Sequence, residues 1–128
     1  MYHKITVIGN LGKDPEMKFT PTGQAVTSFS LAATRSYKKN DEWVKETVWF
    51  RCEAWGKLAE TLNTSLAKGS KVYVEGRLKP DLTTGGPRVW KKSDGESASS
   101  FEIVVIELKF LDKKKESAAQ VEDEGDPF

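Results

Sequence analysis

The sequence has only one cysteine, Cys52, and one histidine, His3, among its 128 residues. A single cysteine excludes an internal disulfide framework, and one cysteine with one histidine excludes the usual structural zinc sites. We therefore expect a protein of the reducing cytoplasm. Cys52 lies on the apolar side of a strand pattern, which predicts a buried and inert thiol. His3 is predicted to be a structural or surface residue.

Long apolar runs are also missing, since no segment approaches the ~20 apolar residues of a membrane helix. The first residues have the pattern of a strand rather than of a signal peptide, so we expect neither secretion nor membrane insertion. Neither GxxxxGK[ST] nor GxGxxG occurs, and the scattered carboxylates match no metal-binding loop. No candidate nucleophile has a histidine base near it in sequence. We predict no enzymatic activity, no cofactor and no metal.

The net charge of +1 hides a strong asymmetry along the chain. All 20 basic residues lie within positions 1–115, which carry 14 acidic residues and therefore a net charge of +6. Positions 116–128 carry five acidic residues and no basic one. A basic body with an acidic tail favours a domain that binds a polyanion and a separate interaction segment.

The order of predicted elements is three strands, one helix and two further strands. Period-two alternation predicts the strands near residues 4–9, 26–34, 46–55, 71–78 and 101–111, and helical spacing predicts a helix from Leu58 to a C-cap at Lys68-Gly69. This order is that of the five-stranded all-β Greek-key barrel called the OB-fold. We assign residues 1–111 to this barrel and residues 112–128 to a disordered linker and acidic tail.

Three details of this barrel are also predicted. Residues 36–41 are polar and basic and are expected to form a loop, and residues 79–100 to form a long loop or a projecting hairpin. Gly76 interrupts a strand pattern and predicts a bulge or a bend. The last strand is apolar on both faces, which predicts burial on both sides, in barrel closure or in a subunit contact.

The third strand carries the clearest functional signal. Val48, Phe50, Cys52 and Ala54 alternate with a second set that contains two indoles and a guanidinium, as expected for a barrel strand with one face in the core. That second set is Thr47, Trp49, Arg51, Glu53 and Trp55. Outward tryptophans beside a basic side chain suit single-stranded nucleic acid, whose bases stack on aromatic rings and whose phosphates attract cations.

Other aromatic and basic residues extend this signal. We predict base stacking by Tyr37, Trp49, Trp55 and Trp90, and phosphate contacts by Arg35, Arg51, Lys57, Lys68, Arg77, Lys79 and Arg88. The role of Trp43 is left open between two alternatives. It stacks on a base, or it covers the base of a loop or a subunit contact.

The last residues resemble a peptide ligand rather than a solubility tail. Glu122, Asp123, Glu124 and Asp126 precede Pro127 and a terminal Phe128, so a ring and a free carboxylate would fill an apolar pocket with a basic rim. If residues 112–128 are flexible, they span roughly 23 Å, which would allow the tip to reach the basic groove of its own body.

A set of short motifs, in this order, resembles the bacterial single-stranded DNA-binding protein family over nearly the whole chain. The motifs are residues 7–16, VIGNLGKDPE; 49–51, WFR; 55–60, WGKLAE; 68–76, KGSKVYVEG; and 126–128, DPF. The resemblance implies an OB-fold homotetramer that wraps single-stranded DNA without enzymatic activity.

The resemblance also implies roles for individual residues. Aromatic residues that stack on bases occupy the positions of Tyr37, Trp49 and Trp55, and a further tryptophan follows the fourth strand, where this chain has Trp90 after a longer loop. Phe50 stands where many relatives have a histidine at a subunit contact. The linker before the acidic tip is short, which predicts weak cooperativity between tetramers.

These observations leave several functions to compare. The leading one is a protein that binds single-stranded DNA without sequence preference, protects it in replication, recombination and repair, and recruits partner proteins through its C-terminal tip. An RNA-binding OB module is a close alternative, because aromatic stacking does not exclude RNA. A protein-interaction adaptor, in which the tail is the active part, belongs to a different class.

Overall fold

The computed structural model describes residues 1–112, in which seven strands and one helix follow one another. They are β1 (Ile5–Leu11), β2 (Glu16–Phe19), β3 (Ala25–Lys39), β4 (Glu42–Trp55), α1 (Lys57–Ser65), β5 (Lys71–Leu78), β6 (Arg88–Lys91) and β7 (Ser97–Phe110). No helix within these residues is long and apolar enough to cross a membrane. The predicted tail from residue 113 onward lies outside the described residues.

Five of the strands close into a barrel. The hydrogen-bonded order is β1-β5-β7-β4-β3, and the ring closes where β3 returns to β1 at Leu11↔Leu31. All neighbours are antiparallel except β4 and β7, which run parallel from Phe50↔Phe101. The helix lies between the third and fourth barrel strands in chain order, so the predicted OB-fold is confirmed. The short strands β2 and β6 are added outside the ring, on β3 and β7.

Alternating residues of each barrel strand fill the core. Every barrel strand contributes two side chains to the core cluster, and α1 covers the core with Leu62. In strand order these residues are Val7 and Leu11, Phe29 and Leu31, Cys52 and Ala54, Val72 and Val74, and Ile103 and Val105. The buried hydroxyl of Thr27 donates to the carbonyl of Ala59 over 2.7 Å, which ties α1 to β3. The core face predicted for the third strand is therefore correct at Cys52 and Ala54, whereas Val48 lies beyond the barrel rim and is exposed.

Two glycines allow the strands to cross closely. A Cβ atom on Gly9 would lie 2.4 Å from the carbonyl oxygen of Ala32, and one on Gly76 would lie 2.2 Å from that of Val104. The β5–β7 register shifts at Gly76, which confirms the predicted bulge. The extra residue on β7 is Ile106, which is exposed.

The prediction that the last strand is buried on both faces is wrong for the single chain. β7 does close the barrel, between β4 and β5, but Phe101 is 55% exposed and Ile106 is 62% exposed. Phe101 is the first residue of β7 paired with β4, at the end of the barrel. Ile106 is the extra residue of the bulge and points outward, while Leu108 after it packs against the core.

The predicted loop at residues 36–41 is instead part of a continuous hairpin. β3 and β4 pair without interruption up to Lys39↔Glu42, and only Asn40 and Asp41 form the turn. Both turn residues have positive φ, 52° and 66°, as in the tight turns that match the twist of paired strands. Polar composition suggested a loop, but two long paired strands can leave the barrel as an arm with both faces exposed.

The helix also ends earlier than predicted. It stops at Ser65, and Leu66 is already extended, with φ −88° and ψ 152°. The following turn is held by β1 and its loop, because the N–H of Lys68 donates to the Asp14 carboxylate and that of Gly69 to the carbonyl of Leu11. These tertiary hydrogen bonds replace a further helical turn.

Candidate nucleic-acid interface

The β3–β4 ladder defines two faces of a long hairpin. Its 14 residue pairs run without a register shift from Val26↔Trp55 to Lys39↔Glu42. Because opposite residues of an antiparallel pair share a face, one face carries Trp43, Trp49 and Trp55 and the other carries the core residues Cys52 and Ala54. We call the face with these tryptophans the outer face.

Trp49 and Trp55 are held in place by their surroundings but keep exposed ring surface. The Trp49 ring packs over Gly12, where an added Cβ atom would lie 2.8 Å from it, and Trp49 remains 54% exposed. Trp55 is 36% exposed, and its indole N–H donates to Glu53 over 3.2 Å. Both rings can therefore accept a stacked base without unfolding any part of the barrel.

The outer face continues across β7 to the β6–β7 hairpin. Arg51 of β4 lies beside Glu102 of β7, and Ser100, two residues earlier on the same face, pairs with Arg88. Trp90 lies two residues after Arg88 on β6 and shares this face, with the Arg88 guanidinium 5.0 Å from its ring centroid. All four tryptophans of the chain therefore lie on the outer face.

Tyr37 lies on the opposite face of the hairpin. It pairs with Val44, and Arg35 pairs with Glu46, both on the face that continues from the core. The Arg35 guanidinium lies 4.6 Å from the Tyr37 ring centroid and 2.7 Å from Glu46, whose carboxylate raises the pKa of Arg35. The structure thus brings Trp43, rather than Tyr37, into line with Trp49 and Trp55.

A groove of about 560 Å³ lies where β4 and β7 diverge into their two hairpins. Trp49 and Arg51 line it on one side, and Pro87, Ser99 and Phe101 line it on the other. Sequence reasoning assigned Phe101 to the barrel or a subunit contact and missed its place in this groove, where its ring centroid lies 6.0 Å from that of Phe50. The one local sign of this position was a large apolar residue directly after the serine-rich residues 97–100.

Several of the predicted phosphate contacts are already paired with carboxylates. Lys79 lies 2.9 Å from Glu53 and Arg88 lies 3.6 Å from Glu102, so two acidic groups of the outer face are neutralised. No such pair involves Arg51 within residues 1–112. The remaining candidates lie at the start of α1 (Lys57), after α1 (Lys68) and on β5 (Arg77).

His3 and Cys52 occupy structural positions, as predicted. The imidazole Nε2 of His3 accepts a hydrogen bond from the N–H of Leu78 over 2.9 Å. Cys52 is fully buried, and burial raises the pKa of its thiol to about 12, which suppresses the reactive thiolate. Within residues 1–112, no cluster of three or more metal-ligating side chains is present. The predicted partner-binding residues, Glu122 to Phe128, lie outside the described residues.

Known proteins resemble this chain in both sequence and fold. Single-stranded DNA-binding proteins from Paenarthrobacter aurescens and Neisseria meningitidis are 41% identical over 81% of the chain and 34% identical over 91%. The chain spans 58% and 63% of the length of these relatives. A small single-stranded DNA-binding protein from Streptomyces coelicolor superposes with a TM-score of 0.69, at 28% identity, over 84% of this chain and 93% of that chain.

A second solved structure contains a ligand. The Plasmodium falciparum SSB complex with ssDNA superposes with a TM-score of 0.71, at 28% identity, over 88% of this chain and 96% of that chain. The Single-strand binding protein family matches residues 2–111, which cover the whole barrel and both hairpins. On the strength of this match and of the two bacterial relatives, the chain belongs to the single-strand binding protein family.

Proposed function

We propose that this protein binds single-stranded DNA without sequence preference. The observation that carries the proposal is the alignment of all four tryptophans on the outer face, with the guanidinium of Arg51 between Trp49 and Trp55. Every base has a π-face, so stacking on these rings provides affinity that does not depend on sequence. A duplex buries its base faces and would not fit this mode of binding.

The strand would follow the outer face from β4 towards the β6–β7 hairpin. Bases would stack on Trp49 and Trp55, and Arg51 would contact a phosphate of the segment between them. The groove beside Trp49 lies next to the β6–β7 hairpin, where Trp90 offers further aromatic surface. Lys79 and Arg88 offset the charges of Glu53 and Glu102 along this path, which lowers the repulsion of phosphates.

Intrinsic tryptophan fluorescence, titrated with oligo-dT at two salt concentrations, tests this proposal. Stacking should quench the emission, and phosphate contacts should make the affinity fall as salt rises, because bound phosphates release counterions. Saturable quenching with an affinity that is independent of salt would support base stacking and exclude phosphate contacts. The absence of quenching and of any binding would contradict the proposal and favour the adaptor function.

RNA remains the second candidate ligand, because the same rings accept its bases. The preference for DNA follows from the two relatives that carry single-stranded DNA binding in their names and from the neighbour solved with ssDNA. A competition between matched DNA and RNA oligonucleotides decides the question. We expect DNA to displace RNA at equal concentration, and the reverse result would make this an RNA-binding module.

We further propose that the chain assembles as a homotetramer. Residues 5–9 of β1 pair with β5 along one edge, and no strand within residues 1–112 pairs with their other edge. An open strand edge is a template for pairing with another chain. The half-exposed Ile8 beside this edge lines an apolar groove with Val48 and Phe50, which a second copy would cover.

The acidic segment would connect DNA binding to other proteins. We propose that Glu122, Asp123, Glu124, Asp126, Pro127 and Phe128 bind replication, recombination and repair proteins, while residues 1–111 hold the DNA. Their sequence supports this role, because a terminal ring and carboxylate behind four acids fit an apolar pocket with a basic rim. In a bacterial cell this function would place the protein in the cytoplasm, at the nucleoid.

A further inference from the structure

We infer that Trp43, at the tip of the β3–β4 hairpin, is an additional base-stacking platform that extends the DNA track beyond the barrel. The inference rests on the proposed single-stranded DNA binding and adds a contact site to it. Trp43 is 72% exposed, the largest exposed fraction among the four tryptophans. Most of its ring surface is therefore open to a base, and a cation, the ammonium group of Lys38, lies near it.

The register of the hairpin places Trp43 in line with the other platforms. Trp43, Trp49 and Trp55 are separated by six residues each, and the ladder between them has no register shift. At about 3.4 Å per residue, neighbouring rings are roughly 20 Å apart along β4. That interval holds a few nucleotides, within the range of about 4–16 that a single OB-fold occupies.

The side chains around Trp43 suit a nucleic acid strand. Lys38, its partner in the ladder, has its ammonium group 5.9 Å from the ring centroid, and Lys45 is the next residue on the same face. A base could stack on the open side of the indole while these two cations contact the flanking phosphates. No acidic residue lies on the outer face of the hairpin between Trp43 and Trp49.

The hairpin tip is short enough to hold the ring in place. The turn contains only Asn40 and Asp41, and Trp43 is already paired with Lys38 in the ladder. An exposed tryptophan on a paired strand loses little further freedom when a base stacks on it, in contrast to a tryptophan in an open loop. The competing reading is that Trp43 packs against another subunit of the assembly.

A single-tryptophan reporter tests the inference directly. Trp49→Phe, Trp55→Phe and Trp90→Phe, combined in one full-length chain, keep aromatic faces at three platforms and leave Trp43 as the only indole. Oligo-dT binding is followed separately through the anisotropy of a fluorescein-labelled oligonucleotide. We expect the Trp43 emission to be quenched in step with the anisotropy. Binding without a change in Trp43 emission would overturn the inference and leave the proposed function intact.

A second measurement keeps the test decisive if the triple variant binds poorly. In the otherwise unchanged chain, Trp43→Ala should weaken oligo-dT binding about 5-fold, at the lower end of the range for loss of one stacked base. Trp43→Phe is the matched control and should restore most of the affinity. Equal affinity of the Ala variant and the wild type would overturn the inference, whereas loss of all binding by the wild type would overturn the proposed function.

Light scattering on the Trp43→Ala variant separates DNA stacking from subunit packing. We expect an unchanged molar mass, because the inference places the ring against DNA and not against a neighbouring chain. A lower mass would assign Trp43 to a subunit contact and would overturn the inference.

Discussion

Trp49 presents its ring to solvent while the residues on either side of it in the strand point the other way, so binding and folding can be separated there. Trp49→Ala should weaken oligo-dT binding by about 1–3 kcal/mol, and Trp55→Ala should do the same with a smaller loss, because Trp55 is less exposed. The free energy of unfolding should fall less for Trp49→Ala than for Trp55→Ala, because Trp49 buries less of its ring. Trp49→Phe is the control that keeps a π-face. Wild-type affinity in both Ala variants, measured by anisotropy, would refute the assignment.

Arg51 differs from Arg88, the other arginine placed on the outer face above, in having no carboxylate partner within residues 1–112. Arg51→Ala should therefore reduce the slope of log affinity against log salt by up to ~0.7, the value for one phosphate on a single strand. Arg88→Ala should reduce it less, because Glu102 already neutralises part of that charge. Arg51→Lys keeps the charge and should keep the slope. Identical slopes for the wild type and both Ala variants would exclude phosphate contacts at these positions.

The crossings of β1 with β3 and of β5 with β7 depend on two residues without a side chain. Gly9→Ala and Gly76→Ala should each destabilise the barrel by about 1–3 kcal/mol or more, because the added methyl group meets backbone carbonyls that cannot move aside. Chemical denaturation measures the loss. Gly86→Ala is the matched control, since its added Cβ atom would meet only the Thr84 hydroxyl at 3.7 Å. Similar stability of all three variants would show that the strands can separate at little cost.

Assembly determines how much DNA one particle can hold. The proposed homotetramer predicts a particle of about four chains in light scattering at micromolar concentration, each chain being 14.3 kDa. The open edge of β1 and the apolar groove beside it would supply one of its contacts. Ile8→Glu would place a charge in this groove and should lower the mass. A wild-type mass of a single chain would contradict the tetramer, and an unchanged mass for the Ile8→Glu protein would place the contact elsewhere.

At the C-terminal end of the chain, the effects of the acidic charges and of the Phe128 ring can be tested separately. Removing residues 120–128 should abolish the binding of partner proteins and leave DNA binding unchanged or slightly tighter, because a −4 segment no longer competes with phosphates for a basic body. Phe128→Ala keeps every side-chain charge, so it should lose the partners without tightening DNA binding. Pull-down of replication and repair factors measures the partners. Equal recovery with the Phe128→Ala protein would reduce the segment to a charged tether.

Much of this fold follows from local patterns. The alternation at Phe50, Cys52 and Ala54 predicted which face of the third strand is core, and the order of strands and helix predicted the barrel, because period-two burial is a property of each strand alone. Gly76 also predicted a bulge, because a glycine inside a strand pattern often marks one, although the extra residue lies on the partner strand β7. The outward phase of Trp49, Arg51 and Trp55 was readable from one strand, since all three residues share its alternation.

Relations between separate strands were decided only in the tertiary structure. Polar residues at 36–41 predicted a loop, whereas the pairing of β3 with β4 carries both strands on to a two-residue turn. The added length of β4 carries Trp43 onto the outer face, and that of β3 carries Tyr37 onto the other. The sequence did not assign these faces because the predicted strands ended at residue 34 and began at residue 46. The bulge at Ile106 and the pairing of Glu53 and Glu102 with distant cations likewise depend on which strands meet. Local sequence encodes the two faces of a strand, but the partner strand and its register determine which residues share a face, because a shift of one residue exchanges them.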